Sequence, residues 1–213
     1  MGLTNKKVLI TSGPTWVAID RMRVISNIST GSLARLIAGN LTEFKAKVTV
    51  LEGPVTEQLN TDGVRVLKFY FYDELRSLLK KELRKKYDIV IHAAAVSDYR
   101  LKHPFKGKIF SGIETLTLEL CPTEKIIDSI KKIAPKVFLV GFKLEPNMGK
   151  ASAIQEASGL IRHAGCDLVV ANSIDKNNRY SGHIIDHNGK VLAYKKSRRT
   201  MSKALVEVLG NKV

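Results

Sequence analysis

The sequence is poor in the features that mark membrane proteins and cysteine-based sites. No apolar run in its 213 residues approaches the ~20 that a membrane-spanning helix needs, so we expect no membrane contact. Its two cysteines, Cys121 and Cys166, stand apart with no C-x-x-C spacing, and we expect both to be buried thiols in a reducing compartment. The first residues lack the apolar core of a signal peptide, so the sequence predicts a cytoplasmic protein.

Motifs for metal binding and nucleophilic catalysis are also missing. His183 and His187 are four residues apart but flank a predicted strand and turn. They therefore do not share a helix face, as zinc ligands with this spacing do, and no protein metal site is expected. No Ser/His/Asp or Cys/His pairing can be nominated. The G-x-x-x-x-G-K-[ST] motif is absent, which argues against a P-loop enzyme.

Positive charge is the one property present in excess. The 35 Lys and Arg residues outnumber the 20 Asp and Glu residues and give a net charge of +15. Such a charge favours either nucleic acid or small phosphorylated substrates. The lysine pairs are spread along the chain, and no RNP-like aromatic pattern accompanies them, so we expect no nucleic-acid partner.

Apolar strands alternate with amphipathic helices along the chain. This pattern predicts an α/β fold: a doubly wound, mostly parallel Rossmann-like sheet with a C-terminal antiparallel hairpin. We expect a single domain over 1–213, with the hairpin at about 180–196 and a last helix at about 198–209. The predicted strands cover 8–11, 46–51, 88–95, 116–120, 137–142 and 167–171, and the predicted helices cover 74–86 after a cap at Asp73, 123–133 and 151–163.

Polar loops follow four of the predicted strands. The carboxyl ends of parallel strands meet at one edge of a sheet, where ligands bind, so four such loops together predict a site. The loops cover 13–31, 96–112, 142–146 and 172–178. The lysine-rich stretch at 99–112 is expected to be mobile and not part of the core.

The first loop contains the polar residues that open the next helix. Asn27 can bind a carboxyl or phosphate oxygen, or it can serve its own turn. Ser29, Thr30 and Gly31 can cap the helix with no ligand present. They can equally frame a phosphate, because free helix N–H groups and the helix dipole favour an anion.

The second loop follows a strand that ends in alanines. Small residues such as Ala94 and Ala95 let a ligand approach the backbone. Asp98 can hold a ribose hydroxyl or a lysine. Lys106 and Lys108 can neutralise a triphosphate, although a solvated charged loop has the same composition.

Five sequence segments, taken together and in order, resemble phosphopantothenate–cysteine ligases of the stand-alone form. The first reads ITSGPT, IDRMRVISN and STG along the opening loop, like that family's glycine-threonine turn and its N-x-S-[ST]-G sequence. HAAAVSDYR at 92–100 is similar to the family's A-A-V-[AS]-D-Y-R segment. GKIFSG, LVGFKLE and DLVVANS follow with the family's spacing. The resemblance covers almost the whole chain.

The resemblance implies a two-step ligase reaction in coenzyme A biosynthesis. The carboxylate of 4′-phosphopantothenate attacks the α-phosphorus of a nucleoside triphosphate, which gives an acyl-nucleotide and pyrophosphate. The amine of L-cysteine then attacks the activated carbonyl and releases the nucleoside monophosphate. Mg²⁺ and positive charge offset the triphosphate. The nucleotide is CTP in bacterial relatives and ATP in eukaryotic ones.

The resemblance also implies roles for residues of this chain. Asn27 contacts the carboxylate and acyl phosphate, and Lys108 belongs to a catalytic lysine loop in which Lys106 can share the charge. The substrate pocket is shaped by Gly13, Thr15, Ser29 and Gly31. The nucleotide is held by Ala94, Ala95 and Asp98, with Phe142 near the ribose or base.

This chain departs from the fused bacterial enzymes at two points. The family's K-I-K-K reads Lys108-Ile109-Phe110-Ser111 here, so Ser111 stands where the last lysine would be. The two triphosphate lysines of a later helix are replaced by Leu160 and Ala164. The lysine loop and the F-K-L-E segment look more like the stand-alone and eukaryotic ligases.

One further expectation concerns the assembly, and two alternative functions compete with the ligase hypothesis. The ligases of this family are dimers, and the C-terminal hairpin is a plausible pairing element. One alternative is an NAD(P)-dependent short-chain oxidoreductase, but its Gly-x-x-x-Gly-x-Gly is absent and neither Tyr70 nor Tyr99 has a lysine four residues on. The other is a basic binding module without catalysis, which would make the four loops mere connections.

Overall fold

The computed structural model describes residues 2–59 and 61–213; residues 1 and 60 of the predicted 1–213 domain lie outside the described part. Helices and strands alternate along most of the chain. In chain order the elements are β1 (Lys7–Ser12), β2 (Trp16–Ala18), β3 (Val24–Ser26), α1 (Ser32–Glu43), β4 (Lys47–Glu52), β5 (Arg65–Lys68), α2 (Tyr72–Leu83), β6 (Ile89–His92), β7 (Tyr99–Leu101), β8 (Leu120–Pro122), a 3-10 turn (Ile126–Ser129), α3 (Ile130–Ile133), β9 (Phe138–Leu144), α4 (Lys150–Ala164), β10 (Leu168–Ile174), β11 (Tyr180–Asp186), β12 (Val191–Lys195) and α5 (Arg198–Lys212).

Eight strands form the main sheet, in the order β12-β11-β10-β9-β6-β1-β4-β5. The six strands from β10 to β5 run parallel, whereas β11 and β12 are antiparallel additions at one edge. This confirms the predicted fold class. The parallel strands are apolar along nearly their whole length because both faces of the sheet are covered.

The two faces of the sheet pack against different helices. Val8 and Ile10 of β1 lie in a cluster with α1 and α5, while Leu9 lies between them in sequence and packs with α2, α3 and α4. This alternation follows from the two-residue period of a strand. Burying each such side chain contributes about 1.5–3 kcal/mol, so β1 joins both layers of the core.

Some predicted boundaries were wrong for identifiable reasons. Helix α2 begins at Tyr72, with Phe71 as the N-cap, because the Glu74 carboxylate accepts from the N–H groups of Tyr70 (2.7 Å) and Phe71 (3.2 Å). Asp73 therefore lies in the first turn and does not cap the helix. The strand predicted at 116–120 is displaced to β8, and regular helix begins only after the 3-10 turn at Ile126.

Two predicted loops contain short strands. The first loop folds into the antiparallel pair β2–β3, and the stretch at 99–112 begins with β7, which pairs with β8.

Of the two cysteines predicted to be buried, Cys166 is buried, but Cys121 is only partly buried, so the prediction was wrong for Cys121. Burial raises the pKa of the Cys166 thiol to about 12. None of the helices in residues 2–59 and 61–213 has the length and apolar character needed to cross a bilayer.

Candidate active site

The carboxyl ends of β1 and β6 meet at the centre of the sheet. The chain leaves β1 toward β4 and β5 on one side, and it leaves β6 toward β9 and β10 on the other. Neighbouring strands whose connections diverge in this way open a crevice at their carboxyl edge, where ligands of open α/β sheets bind. The loops that follow β1 and β6 are the first and second loops predicted to form the site.

Backbone hydrogen bonds join these two loops beyond the strands. Ala95 N donates to Gly13 O (2.9 Å), and Thr15 N donates to Ala95 O (3.3 Å). Gly13 has a φ of 79°, and a Cβ on it would lie 2.8 Å from Val55 Cγ1. Glycine is thus required both by the backbone conformation and by the close approach. The structure brings Gly13, Ala94 and Ala95 to one place, as the sequence predicts.

Asn27 lies over the end of β6 and is exposed. Its Nδ2 donates to Ala95 O and to Val96 O, both at 3.2 Å. These two bonds use both amide hydrogens, so a carboxylate bound by the Asn27 amide would have to displace one of the carbonyl acceptors. Asn27 therefore belongs to the crevice and is already held in position there.

Thr15 is fully buried and contacts no solvent. Its Oγ1 accepts from Ser97 N (2.9 Å), and Ser97 O accepts in turn from Thr123 Oγ1 (2.6 Å). Thr15 therefore connects the first loop to the second and to the start of the next helical turn. A direct contact with substrate is not available to a side chain in this position.

The N-terminus of α1 lies beside the end of β1. Gly31 is the N-cap, with a φ of 66°, and a Cβ there would lie 2.7 Å from Ser12 Oγ. No side chain caps the helix; Thr30 Oγ1 accepts only a 3.4 Å bond from Ser32 N, and Ser29 is half-buried. An uncapped helix start beside the crevice suits an anion.

The predicted nucleotide residues lie along the same edge. Asp98 is exposed and forms an ion pair with Lys125, so the structure shows the lysine interpretation of this carboxylate. Phe142 is half-buried and follows Gly141, the register partner of His92, so it lies on β9 level with the start of the second loop, where it is still paired with Val170 of β10.

A buried histidine that the sequence reasoning missed lies under the crevice. His92 Nδ1 is 3.0 Å from Thr11 Oγ1, which also accepts from Ala94 N (3.1 Å). Burial lowers the pKa of His92 to about 4, so the ring is neutral near pH 7. A histidine at the end of a buried strand, next to a run of alanines, is the sequence signal that could have identified it.

The β2–β3 hairpin projects from the first loop and is braced at its base. Trp16 N donates to Tyr70 O (2.8 Å), and the Trp16 ring packs against Tyr70 (5.3 Å between centroids) and edge-on against Phe71 (6.0 Å). A cavity of about 300 Å³ lies beside this aromatic brace, lined in part by Gly53, Val55 and Lys68. The brace fixes the hairpin relative to the end of β5.

Lys106 and Lys108 are exposed and lie on a segment that contacts the tip of the hairpin. The tip residue Arg23 is four residues from Asn27, or roughly 13 Å along an extended strand. The main-chain hydrogen bonds of the segment are made with Ile19, Asp20 and Arg21 at this tip, and the catalytic role of Lys108 stays a prediction. The prediction of a mobile loop is wrong at Ile109, which is buried and bonded to Asp20.

Asp20 is a buried carboxylate that the sequence reasoning missed. Its pKa is lowered to about 2, chiefly by the hydrogen bond from Ile109 N, with further N–H donors at Met22 and Arg23 and the Arg23 guanidinium outweighing the desolvation cost. An aspartate followed closely by two arginines in I-D-R-M-R was the available signal, but its main partner is 89 positions away.

Metal-binding side chains are not gathered in the described ranges. Within residues 2–59 and 61–213, no group of three or more His, Cys, Asp or Glu side chains is placed to hold a metal ion. His183 instead stacks on Tyr194, with 4.6 Å between ring centroids.

The fold and the crevice together define the class of the protein. It is a Rossmann-like α/β protein with a candidate ligand site between β1 and β6, where the connections of the sheet diverge. The chain belongs to the DNA/pantothenate metabolism flavoprotein C-terminal domain family, whose model matches residues 3–211. It is 41% identical over 179 residues to the coenzyme A biosynthesis bifunctional protein CoaBC of Thermococcus kodakarensis, a match that covers 81% of this chain. The match covers only 42% of the relative, so the chain spans less than half the length of that protein.

Solved structures share the fold over nearly the whole chain. The DNA/pantothenate metabolism flavoprotein from Streptococcus pneumoniae superposes with a TM-score of 0.87 at 23% identity, covering 98% of this chain and 100% of that one. A Cab2 variant in complex with phosphopantothenate-cysteine gives a TM-score of 0.72 at 18% identity, with 98% and 89% covered. At these identities the likeness establishes the fold alone.

Proposed function

We propose that the protein is a nucleotide-dependent ligase that joins 4′-phosphopantothenate to L-cysteine through an acyl-nucleotide intermediate. The observation that carries the proposal is the convergence of Asn27, the uncapped N-terminus of α1 and the Ala94–Ala95 backbone on one crevice. Membership of a pantothenate-metabolism family and the similarity to a coenzyme A biosynthesis protein support the substrate class.

In the first step, the phosphopantothenate carboxylate attacks the α-phosphorus of the nucleoside triphosphate, and pyrophosphate leaves. A carboxylate bound at the Asn27 amide takes a hydrogen bond that Ala95 O or Val96 O now holds. The free N–H groups of α1 supply fixed positive dipoles for phosphate oxygens without any change in their orientation. Mg²⁺ carried by the nucleotide supplies charge neutralisation.

In the second step, the cysteine amine attacks the acyl carbon, and the nucleoside monophosphate leaves with the anhydride oxygen. The bound substrates would have to keep water from the acyl-nucleotide, which water would otherwise hydrolyse. Lys106 and Lys108 supply positive charge once they approach the phosphates. Either CTP or ATP fits this scheme.

The proposed assembly is a homodimer. Large apolar side chains are exposed on the hairpin and on the segment beyond β7, with Ile28 and Phe110 almost fully open to solvent. Tyr194 is the corresponding exposed ring on the C-terminal hairpin. Sedimentation of Phe110→Ser and Tyr194→Ser variants distinguishes the two faces: the variant that shifts the protein toward monomer marks the pairing surface, and a monomeric parent protein contradicts the dimer.

One assay tests the catalytic proposal. The protein is incubated with phosphopantothenate, L-cysteine, Mg²⁺ and either CTP or ATP, and pyrophosphate and the amide product are measured. We expect pyrophosphate release that depends on both the acid and the nucleotide, and amide formation that also requires cysteine. Pyrophosphate release without dependence on the acid, or none with either nucleotide, would contradict the ligase.

A further inference from the structure

The segment that carries Lys106 and Lys108 is anchored to the β2–β3 hairpin around one buried residue, Ile109. Of residues 102–117, all of which the structure describes, Ile109 alone is buried. Its N–H donates to Asp20 Oδ2 (3.0 Å), and Arg23 Nη1 donates to Ile109 O (3.4 Å). Both partners lie at the tip of the β2–β3 hairpin. Two backbone bonds flank the anchor, from Arg21 N to Gly107 O and from Phe105 N to Ile19 O, both 3.3 Å.

The two oxygens of Asp20 have separate tasks. Oδ1 closes the hairpin turn, because it accepts from Met22 N (2.7 Å) and Arg23 N (2.8 Å). Oδ2 reaches the distant segment through Ile109 N and also pairs with Arg23 Nη1 at 2.6 Å. The Asp20 side chain has no exposed surface and accepts four hydrogen bonds. Closing the turn needs only the two at Oδ1, so the two at Oδ2 serve the contact with the distant segment.

We propose that Asp20 is a positioning residue that clamps the lysine segment to the hairpin, so that the two form one arm. We use the term hairpin arm for β2, β3 and residues 105–109. The lysines are then presented from a rigid body that continues directly into Asn27, and not from a free loop. The role in catalysis rests on the proposed ligase function, whereas the clamp itself does not.

Asp20→Asn separates the two tasks of the side chain. The amide oxygen can still close the turn, but the amide nitrogen cannot accept from Ile109 N or from Arg23. Asp186→Asn is the matched control: Asp186 is equally buried and closes its own turn by accepting from Asn188 N and Lys190 N, both at 3.0 Å. Asp186 lies on β11 opposite Leu168 of β10, and its Oδ2 is 3.9 Å from Lys212 Nζ at the end of α5.

Limited trypsin digestion reads the clamp directly. The Lys108–Ile109 peptide bond contains the N–H that Asp20 holds, so the clamp protects a bond that trypsin would otherwise cut. We expect cleavage after Lys108 to rise at least about tenfold in Asp20→Asn, because a charge-assisted hydrogen bond is lost. Cleavage after Lys102 serves as the internal reference and stays within about twofold, as does all cleavage in Asp186→Asn. Equal cleavage after Lys108 in the parent protein and Asp20→Asn overturns the clamp.

Activity tests whether Asp20 acts through the lysine. We expect Asp20→Asn to lower kcat about tenfold with little change in the KM for phosphopantothenate, and to have almost no further effect in a Lys108→Ala background. Additive losses in the double variant overturn the positioning role. If Asp20→Asn fails to fold, as seen by circular dichroism, Arg23→Gln is the second variant, because it removes only the guanidinium that bonds both Asp20 and Ile109 O. Increased cleavage after Lys108 in Arg23→Gln supports the clamp, and unchanged cleavage contradicts it. An inactive parent protein refutes the ligase proposal but leaves the digestion result standing.

Discussion

The crevice and the hairpin arm are adjacent in the chain but are held together by different forces. The loops of the crevice are joined by neutral hydrogen bonds between main-chain groups and buried hydroxyls, such as Ala95 N to Gly13 O and Ser97 N to Thr15 Oγ1. The arm is held by the Asp20 carboxylate, by a few main-chain bonds such as Arg21 N to Gly107 O, and by the aromatic brace at Trp16. The crevice is therefore an extension of the sheet, whereas the arm is an attachment with few points of contact.

This difference separates the functions that each region can perform. A crevice built on strand ends keeps its geometry whether or not a ligand is present, which suits stabilisation of an activated phosphate. The hairpin arm can move as a unit when the contacts at its base break. Such movement suits delivery of the lysine charge to a substrate that is already bound. The comparison makes four predictions, from the largest effect to the smallest.

The largest effect is expected at Asn27 in the crevice. Asn27→Asp places a carboxylate against the carbonyl oxygens of Ala95 and Val96 and against the substrate carboxylate, so we expect kcat/KM to fall about 100-fold or more. Asn40→Asp is the control, because Asn40 Nδ2 donates to Ser202 Oγ (2.9 Å) between α1 and α5. Steady-state pyrophosphate release checks both variants. A rate within twofold of the parent removes Asn27 from the mechanism.

A smaller effect is expected where the crevice needs a glycine. Gly13→Ala combines a positive φ with a 2.8 Å contact to Val55, and we expect it to lower the free energy of unfolding by about 2 kcal/mol and the activity about tenfold. Gly63→Ala has nearly the same φ, 78° against 79°, and nothing within 4 Å. Denaturant titration of the two variants isolates the contact from the conformation. Equal losses would show that the close approach at Gly13 is unimportant.

Acid should weaken the two regions at different pH. The folded-state pKa of His92 is about 4 against the ordinary 6.5, so the unfolded chain binds its proton first, and stability is lost as pH falls from 6.5 toward 4. The slope is at most about 1.4 kcal/mol per pH unit. Asp20, with its pKa lowered from 3.8 to about 2, keeps its contribution until the pH falls below about 3.8.

Hydrogen exchange at the amides of Ala94 and Ile109 follows the two regions separately. We expect Ala94 to lose protection first as the pH is lowered, after correction for intrinsic exchange, and His92→Gln to flatten the stability profile between pH 6.5 and 4. The pKa values of His92 and Asp20 predict that Ala94 loses protection at a higher pH than Ile109. Loss of protection at Ile109 before Ala94 would contradict this order.

The smallest effect is expected at the ion pair between Asp98 and Lys125. Both side chains are more than half exposed, so Lys125→Ala should change the free energy of unfolding by less than about 1 kcal/mol. If Asp98 binds the ribose, releasing it from Lys125 should lower the KM for the nucleotide by up to about threefold. Nucleotide titrations of the variant measure this, and a large rise in KM would assign the nucleotide contact to Lys125 instead.

Five of the six parallel strands could be predicted from the sequence because each contains an apolar run, whereas the edge strand β5 reads RVLK and has exposed ends. Gly13, Asn27 and Ala95 could be placed at one edge for the same reason, since strand ends fix where their loops begin. The hairpin could not be predicted, because β2 and β3 have only three residues each and much of their surface is exposed. Short exposed strands carry no periodic signal.

The clamp and the start of α2 were missed for a related reason. Asp20 gains its role from Ile109, a residue 89 positions away, and no local pattern contains that information. Asp73 has the right residue type for a cap, but Glu74 takes the N–H groups one step earlier. The resemblance implies that Thr15 shapes the substrate pocket, and the structure shows that its hydroxyl accepts from Ser97 N, a contact that no local sequence pattern contains.

The aromatic brace has an optical consequence. Trp16 is the only tryptophan in the chain, and it lies between Tyr70 and Phe71 at the base of the hairpin arm. With excitation at the red edge of the spectrum, where the six tyrosines absorb little, intrinsic fluorescence therefore originates at the joint on which the arm would turn. Stopped-flow emission on mixing with nucleotide can follow arm movement in real time without a chemical label.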